Sequence, residues 1–457
     1  MSERVWESNM RFGNYCIIMM SWATSGCQLE TPDALLDRTP PFVLTQFAIE
    51  GRTAVISGNS ISVDLRWSGV NHRSAIATFS STGGKVTVDG VSQKSGVTVN
   101  DFGTPKNYVA AGFDGVSRTY TVTVQSGYPF ADTGQTLCSS GASGDGAMAA
   151  CPQAVTGQDG DYSDLPRARS FTGPIQHSIF TSDYTTADNV TGLVWKTCSE
   201  GLSGATCASG SAGTYTLSPD TATPVCAGLN MANSGAGYAG RKDWQLPSIQ
   251  ELATLIYQTS GPPASDSTYF PGTVSNYYWS ATVNAQSSTS GWLVSFQWGY
   301  VEPSTKGSPY HVRCVAGTAG AYKLSFLDKG DGTIAEVDTG VVWQKCGMGQ
   351  NNDAACSGTL STVNWVGALS YCQGLSLAGR SWRLPNENEL RSIVEYSNYT
   401  PAIDTTYFPA TAAADYWSST TFGAATNQAR GVNFFSGSAT PPLKSSNNRV
   451  RCVATGP

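Results

Sequence analysis

From residue 42 to residue 124, apolar and polar residues alternate along the chain. Ile61/Val63/Leu65, Val86/Val88, Val97/Val99 and Tyr120/Val122/Val124 each put every second side chain on one face. A period of two belongs to a strand with one face buried. Asp89-Gly90 and Asp114-Gly115 are hairpin signals, because a two-residue turn needs residues that tolerate positive φ. Short strands, frequent turns and no helical stretch predict a β-sandwich over 42–127.

Past residue 190 helical spacing enters. Trp365, Ala368, Leu369, Cys372 and Leu375 share one helical face. A second helix starts after Leu-Pro, with Ser248 or Asn386 at its N-cap and Glu251 or Glu389 three residues on, the arrangement of a capping box. Leu252/Leu255/Ile256 and Leu390/Ile393/Val394 form its apolar stripe. The runs Leu193-Val-Trp195 and Val341-Val-Trp343, Tyr-Trp-Ser, Val294-x-Phe296 or Val432-x-Phe434, and Val-Arg-Cys-Val read as strands.

These elements occur twice. Trp244-x-Leu246-Pro247, Tyr269-Phe270-Pro271, Tyr278-Trp279-Ser280 and Val312-Arg313-Cys314 return 138 positions later, ending at Val450-Arg451-Cys452. From Trp244 to Cys314 the copies align without a gap over 71 positions, 26 of them identical. Solenoid repeats are far shorter, so this is a duplicated domain. The expected divisions are 190–317 and 318–457 for the two modules, with 128–189 as a connecting segment.

Composition moves the picture outside the cell. Charged residues make up 13 % of the chain, against roughly 25 % in a typical soluble protein. Gly, Ser, Thr and Asn replace them, as suits loop-rich extracellular modules. A net charge of −6 supplies no field for nucleic acid, and none is expected as a partner. The three histidines, His72, His177 and His311, are scattered, so no zinc site and no cofactor are expected. The last eight of the twelve cysteines form two equivalent sets of four: Cys198, Cys207, Cys226, Cys314 and Cys346, Cys356, Cys372, Cys452. With no C-x-x-C among them, they read as disulfides of an oxidising compartment, and each set of four allows three pairings. Cys138 and Cys151 are expected to close a loop of their own. Residues 1–27 read as a processing segment. Its apolar run from Tyr15 to Ala23 is too short to span a bilayer, and it ends in Thr24-Ser25-Gly26-Cys27, which resembles a lipobox. Cys27 is therefore the expected lipidation site, followed by a Pro-rich linker over 28–41.

Two short stretches have calcium-loop composition, Gly157-Gln-Asp159-Gly-Asp161 and Asp328-Lys-Gly-Asp331-Gly332. The first lacks the terminal bidentate Glu, and both read as turns. Glu251 and Glu389 read as helix caps rather than general acids, and Arg313 and Arg451 as structural donors rather than anion ligands. No catalytic residue is assigned.

The combination Trp-x-Leu-Pro-x-x-x-Glu-Leu, Tyr-Trp-Ser and terminal Val-Arg-Cys-Val resembles the Lcl C-terminal domain, named for the Legionella collagen-like adhesin. The resemblance implies a fold similar to C-type lectins, two helices on a twisted antiparallel sheet, hence an α+β pair of modules after an all-β domain. Residues 91–124 resemble the immunoglobulin-like spacer domains of bacterial surface proteins. The lectin-like fold implies that the first helix is bridged to the last strand, which gives Cys226–Cys314 and Cys372–Cys452 and leaves Cys198–Cys207 and Cys346–Cys356 in the loop after the opening strand. It also implies a surface location and adhesion through glycans. The collagen-like repeat is absent here, so trimerisation is not implied. From Lys323 onward there are ten basic and ten acidic residues, which is not the balance of a sulfated-glycan binder.

Residues that differ between the copies mark the candidate ligand surface. Trp292, Trp298 and Tyr300 lie on or beside one strand whose counterparts are Arg430, Ser436 and Ser438, and Tyr310 follows where the second copy has Asn448. The rings form the expected carbohydrate platform of the first module, and Arg430, with Lys444 nearby, gives the second a preference for a more anionic ligand or for none. The expected function is an exported, lipid-anchored cell-surface adhesin for glycan or host matrix protein. A ligand-free envelope scaffold and an oxidase of the formylglycine-generating type are the alternatives.

Overall fold

The computed structural model describes residues 43–65, 75–82, 84–102, 105–112, 116–125, 130–258, 261–317, 324–337 and 339–455. Cys16, Cys27, His72 and the Asp114-Gly115 turn lie outside the described residues.

The N-terminal region is a two-sheet β-sandwich. One sheet orders Arg52–Thr53, Leu44–Ile49, Ala75–Ser81 and Val99–Asn100. The other orders Val55–Ser57, Ser60–Asp64, Ser117–Gln125, Lys106–Ala111, Lys85–Val88 and Val91–Ser92. Ser117–Gln125 runs parallel to Ser60–Asp64. Ile61, Val63, Leu65, Val86, Val88, Tyr120 and Val122 are buried in one core, as the alternation requires. Asp89 and Gly90 take positive φ at 50° and 80° between paired strands. Val97 and Val99 are a correction, since both are exposed. Val99 lies on a two-residue edge strand, and the core position nearby is filled by Phe102.

Each repeat is built on two small sheets and two short helices, to which the first adds a two-stranded ribbon of Leu202–Ser203 with Ser209–Gly210 and an irregular helical turn at Ala232–Gly235. In the first, one sheet orders Phe171–Gln176, Tyr184–Asp188, Val194–Lys196, Val315–Ala316 and Trp244–Gln245. This sheet takes in strands from residue 171 onward. Its second sheet is Tyr277–Val283, Ser290–Ser295 and Tyr300–Thr305. The second repeat follows suit with Phe326–Asp328, Thr333–Glu336, Val341–Gln344 and Val453–Thr455, then Asp415–Thr421, Ala429–Asn433 and Ser438–Thr440. Helices α1 (Ala222–Gly228) and α2 (Ile249–Ala253) belong to the first repeat, α3 (Trp365–Gln373) and α4 (Glu387–Ser392) to the second.

The repeated motifs do repeated work. Ser280 Oγ donates to Trp292 O at 2.8 Å and Ser418 Oγ to Arg430 O at 2.9 Å, tying adjacent strands. The indole of Trp279 donates to Tyr215 O and that of Trp417 to Val363 O. Among the described residues five disulfides form, Cys138–Cys151, Cys198–Cys207, Cys226–Cys314, Cys346–Cys356 and Cys372–Cys452. The long ones join α1 and α3 to the last residues of each module.

The modules are not independent. One buried cluster holds Leu193, Ile249, Leu252 and Trp292 from the first together with Val341, Leu390, Val394 and Tyr396 from the second. Their contacts obey a pseudo-twofold relation. Trp292 meets Tyr396, and Arg430 meets Gln258, the positions 138 residues away from each. Arg391 Nη2 donates to Ala253 O at 3.2 Å, so position 253 meets its own counterpart. This is the isologous geometry of a symmetric dimer, built within one chain.

Residues 130–165 form a clasp over this pair. It is pinned by Cys138–Cys151 and a hairpin of Leu137–Ser139 with Met148–Ala150. The side chain of Gln135 pairs with Thr421 like a strand, accepting from its N–H at 2.9 Å and donating to its carbonyl at 2.8 Å. Asp159 accepts from Thr420 at 2.7 Å, and Asn388 donates to Ala131 O at 2.9 Å. Toward the first module, Gln258 N donates to Thr133 O at 3.1 Å. Just after the clasp, Arg169 donates to the carbonyls of Thr254 and Ile256. The segment braces the second module more than it introduces the first.

Candidate functional site

Two of the residues that diverge between the copies are seam residues. Trp292 is 1 % exposed and packs edge-on against Tyr396, with ring centroids 4.9 Å apart. Arg430, at the equivalent position, is also 1 % exposed. Neither forms an open platform. Divergence here reflects the two sides of the pseudo-twofold seam, one apolar and one polar.

The strand carrying Trp292 ends at Ser295. Trp298 and Gly299 then lie in a tight turn, with Gly299 at φ 72°. A Cβ there would meet Ile256 and Arg430 at about van der Waals limits or closer, so the turn needs glycine. Trp298 is 36 % exposed and sits edge-on to Phe422 at 6.4 Å. Tyr300 is partly buried, 5.8 Å from Phe422. Tyr310 is elsewhere, packed on Tyr277 at 5.0 Å and Trp279 at 5.1 Å, with its hydroxyl 3.2 Å from Ser304 Oγ. The expected platform therefore splits, and only Trp298, Tyr300 and Arg430 come together.

Trp298 and Arg430 border a cavity of about 270 Å³ at the seam, lined also by Gln297, Pro262 and Gln258 of the first module, Phe422 of the second, and Leu137 and Met148 of the clasp. Arg430 is its charged wall. The guanidinium lies 4.5 Å from the Phe422 ring centre and 5.0 Å from that of Tyr300, within the range of cation–π attraction. Nη2 donates to Gln258 Oε1 at 2.8 Å and to the carbonyl of Trp298. Nε lies 3.7 Å from Glu387 Oε2, to which Gln258 also donates. Burial lowers the Arg430 pKa and the Glu387 charge opposes the shift.

The remaining candidate residues hold the fold together. Glu251 Oε2 accepts from Ser248 N at 2.7 Å and Glu389 Oε2 from Asn386 N at 2.9 Å, the two capping boxes. Arg313 and Arg451 are fully buried, donating to the carbonyls of Thr197 and Lys345 and to the hydroxyls of Thr273 and Thr411. Asp159 is held by Thr133 and Thr420 in the clasp. Cys138, Cys151 and Asp161 lie together, but both sulfurs are spent in a disulfide. Gln258, Phe422, Leu137 and Met148 went unread in the sequence. The first two had a signal, since Gln258 and Phe422 also differ from their counterparts Tyr396 and Asn284.

Among the described residues, no helix is long and apolar enough to cross a membrane. The chain matches no curated protein. The family model of the Lcl C-terminal domain matches residues 184–316 and again 332–454. The two matches coincide with the structural repeats and cover more than half of the sequence, so the chain belongs to the Lcl C-terminal domain family, with the domain present in tandem.

Proposed function

We propose that this protein is an exported, lipid-anchored surface adhesin or binding protein, in which an immunoglobulin-like stalk carries two lectin-like modules that recognise a glycan or a host matrix protein. The observation that carries the reading is Trp298, a large ring left half-exposed at the mouth of a seam cavity whose other walls are mostly apolar. Sugar rings present apolar C–H faces to such an aromatic, and the amide of Gln297 in the lining fits a hydroxyl group. Five disulfides fit an oxidising, extracellular setting. The bridge from the first helix to the last residues of each module fits the lectin-like fold.

The scaffold reading draws on the burial of Trp292, which turns one candidate contact into packing. The oxidase reading draws on nothing here, since all ten described cysteines are paired. A glycan and matrix-protein array probed with the full chain tests the proposal. Trp298→Ala should abolish the signal and leave the melting temperature within a few degrees. An array with no signal for the parent chain, or a signal untouched by Trp298→Ala, refutes it. Separately, Cys27→Ser should release the protein from the membrane fraction of its host, and unchanged retention would refute the anchor.

A further inference from the structure

Around the seam cavity, buried positive charge exceeds buried negative charge. Arg430 and Arg391 both face the single carboxylate of Glu387, at 3.7 Å and 3.6 Å, and all three side chains are nearly inaccessible. The charges that bear on Arg430 are Glu387 and Arg391, with the phenol of Tyr300. One carboxylate thus serves two guanidinium groups. Arg430 Nη1 makes no hydrogen bond, and neither does Arg391 Nη1. Glu387 Oε1 is unbonded as well, but it is one acceptor against three unmade donors, Arg430 Nε and Nη1 and Arg391 Nη1. Unmade hydrogen bonds of a buried guanidinium are costly, and a second acceptor of opposite charge would offset them.

Arg430 is also the charged residue in the lining of the cavity, facing Trp298, Phe422, Leu137 and Met148. A volume of about 270 Å³ lies just below the range of drug-sized pockets, so the occupant is compact, of the order of one ring. The surrounding lining is apolar, amide or, at Thr136, hydroxyl, and the whole chain carries −6, which is the wrong field for a polyanion.

We infer that the seam cavity binds a small monocarboxylate on a sugar-sized ring, the acid group pairing with Arg430 from the second module and the ring lying on Trp298 from the first. This rests on the reading of Trp298 as a ligand platform and adds the acid group and the composite nature of the site. Neither module holds the site alone.

Calorimetric titration of the full chain with glucuronate and with glucose tests this, since the two rings differ at C6, where one carries a carboxylate and the other a hydroxymethyl group. Glucuronate should bind about tenfold to a hundredfold more tightly, the range for a hydrogen bond to a charged group. Arg430→Gln should erase the preference. Because Arg430 sits in the seam, Leu137→Asp serves as the second variant, placing a negative charge on an exposed cavity wall far from the core. It should lower the affinity for glucuronate by a larger factor than that for glucose. Equal affinity for both sugars, or a glucuronate preference that survives both variants, overturns the inference. Trp298-dependent binding of neutral glycans with no acid preference overturns this inference alone, whereas absence of any Trp298-dependent binding overturns the platform with it.

Discussion

Glu251 and Glu389 occupy equivalent positions and cap equivalent helices, yet they are not equivalent in energy. Glu389 also receives both guanidinium nitrogens of Arg383 at 2.6 Å, in a pair that is almost wholly buried. The first copy has Gln245 where the second has Arg383. Glu389→Gln should therefore cost about 3–5 kcal/mol, the toll of a broken buried ion pair, while Glu251→Gln costs about 1 kcal/mol. Urea denaturation compares them directly, and equal losses would contradict the asymmetry. Trp292 and Trp298 make a second contrast. Trp292→Ala opens a cavity in the shared core and should cost about 3–5 kcal/mol, whereas Trp298→Ala should stay within about 1 kcal/mol. Capping boxes were legible because they are local, a polar residue and a Glu at fixed spacing before an apolar stripe. The seam was not, because divergence between copies marks any surface with a private neighbour. A ligand and a sister module leave the same trace in sequence, and only burial separates Trp292 from Trp298.

The clasp is the element that the sequence disclosed least. Its Gly-, Ser- and Asp-rich stretch carries no periodicity, and what orders it is side-chain bonding to a module more than 200 residues away. The one hint was that a cysteine pair precedes the first copy and has no counterpart before the second. Its energetics depend on pH. Burial pushes the Asp132 carboxyl up to about 6, and burial, then the charge of Asp132, raises Asp159. Both carboxyls take up protons in the folded clasp before they do in an unfolded chain. Stability from this source is full below about pH 4 and lost as pH rises through 6. Lys444 acts from the other side. Its ammonium is buried against Ser139, Thr421 and the Trp365 ring, with Asp145 the acid bearing on it, and burial lowers its pKa to about 7. Stability from Lys444 is absent below 7 and grows up to the unfolded value near 10. The clasp should be weakest near neutrality. Melting temperatures at pH 5, 7 and 9 should show a minimum at 7 in the parent, and Asp159→Asn should flatten the acid limb. A monotonic profile unaffected by that substitution would contradict this account.

At the scale of the molecule, the shared cluster of apolar side chains makes residues 130–455 one cooperative unit, apart from the N-terminal sandwich with its own core. Calorimetry of the full chain should give one transition for the sandwich and one for the paired modules with their clasp. A fragment ending at residue 317 exposes Trp292, Ile249 and Leu252 and should be aggregated or partly unfolded; a separate, reversible transition for it would refute the shared core. The long bridges Cys226–Cys314 and Cys372–Cys452 close 88 and 80 residues of chain, worth about 4.5 kcal/mol each on the loop-entropy account, so each module is held shut independently of its sister. The pseudo-twofold seam has a further consequence. In two identical chains paired about a true axis, every substitution at the contact appears twice, and each half must suit its own image. Joining both copies in one gene lifts that requirement. The Trp292–Tyr396 side was free to become apolar packing while the Arg430–Gln258 side came to line a cavity, a division that no self-paired surface can reach.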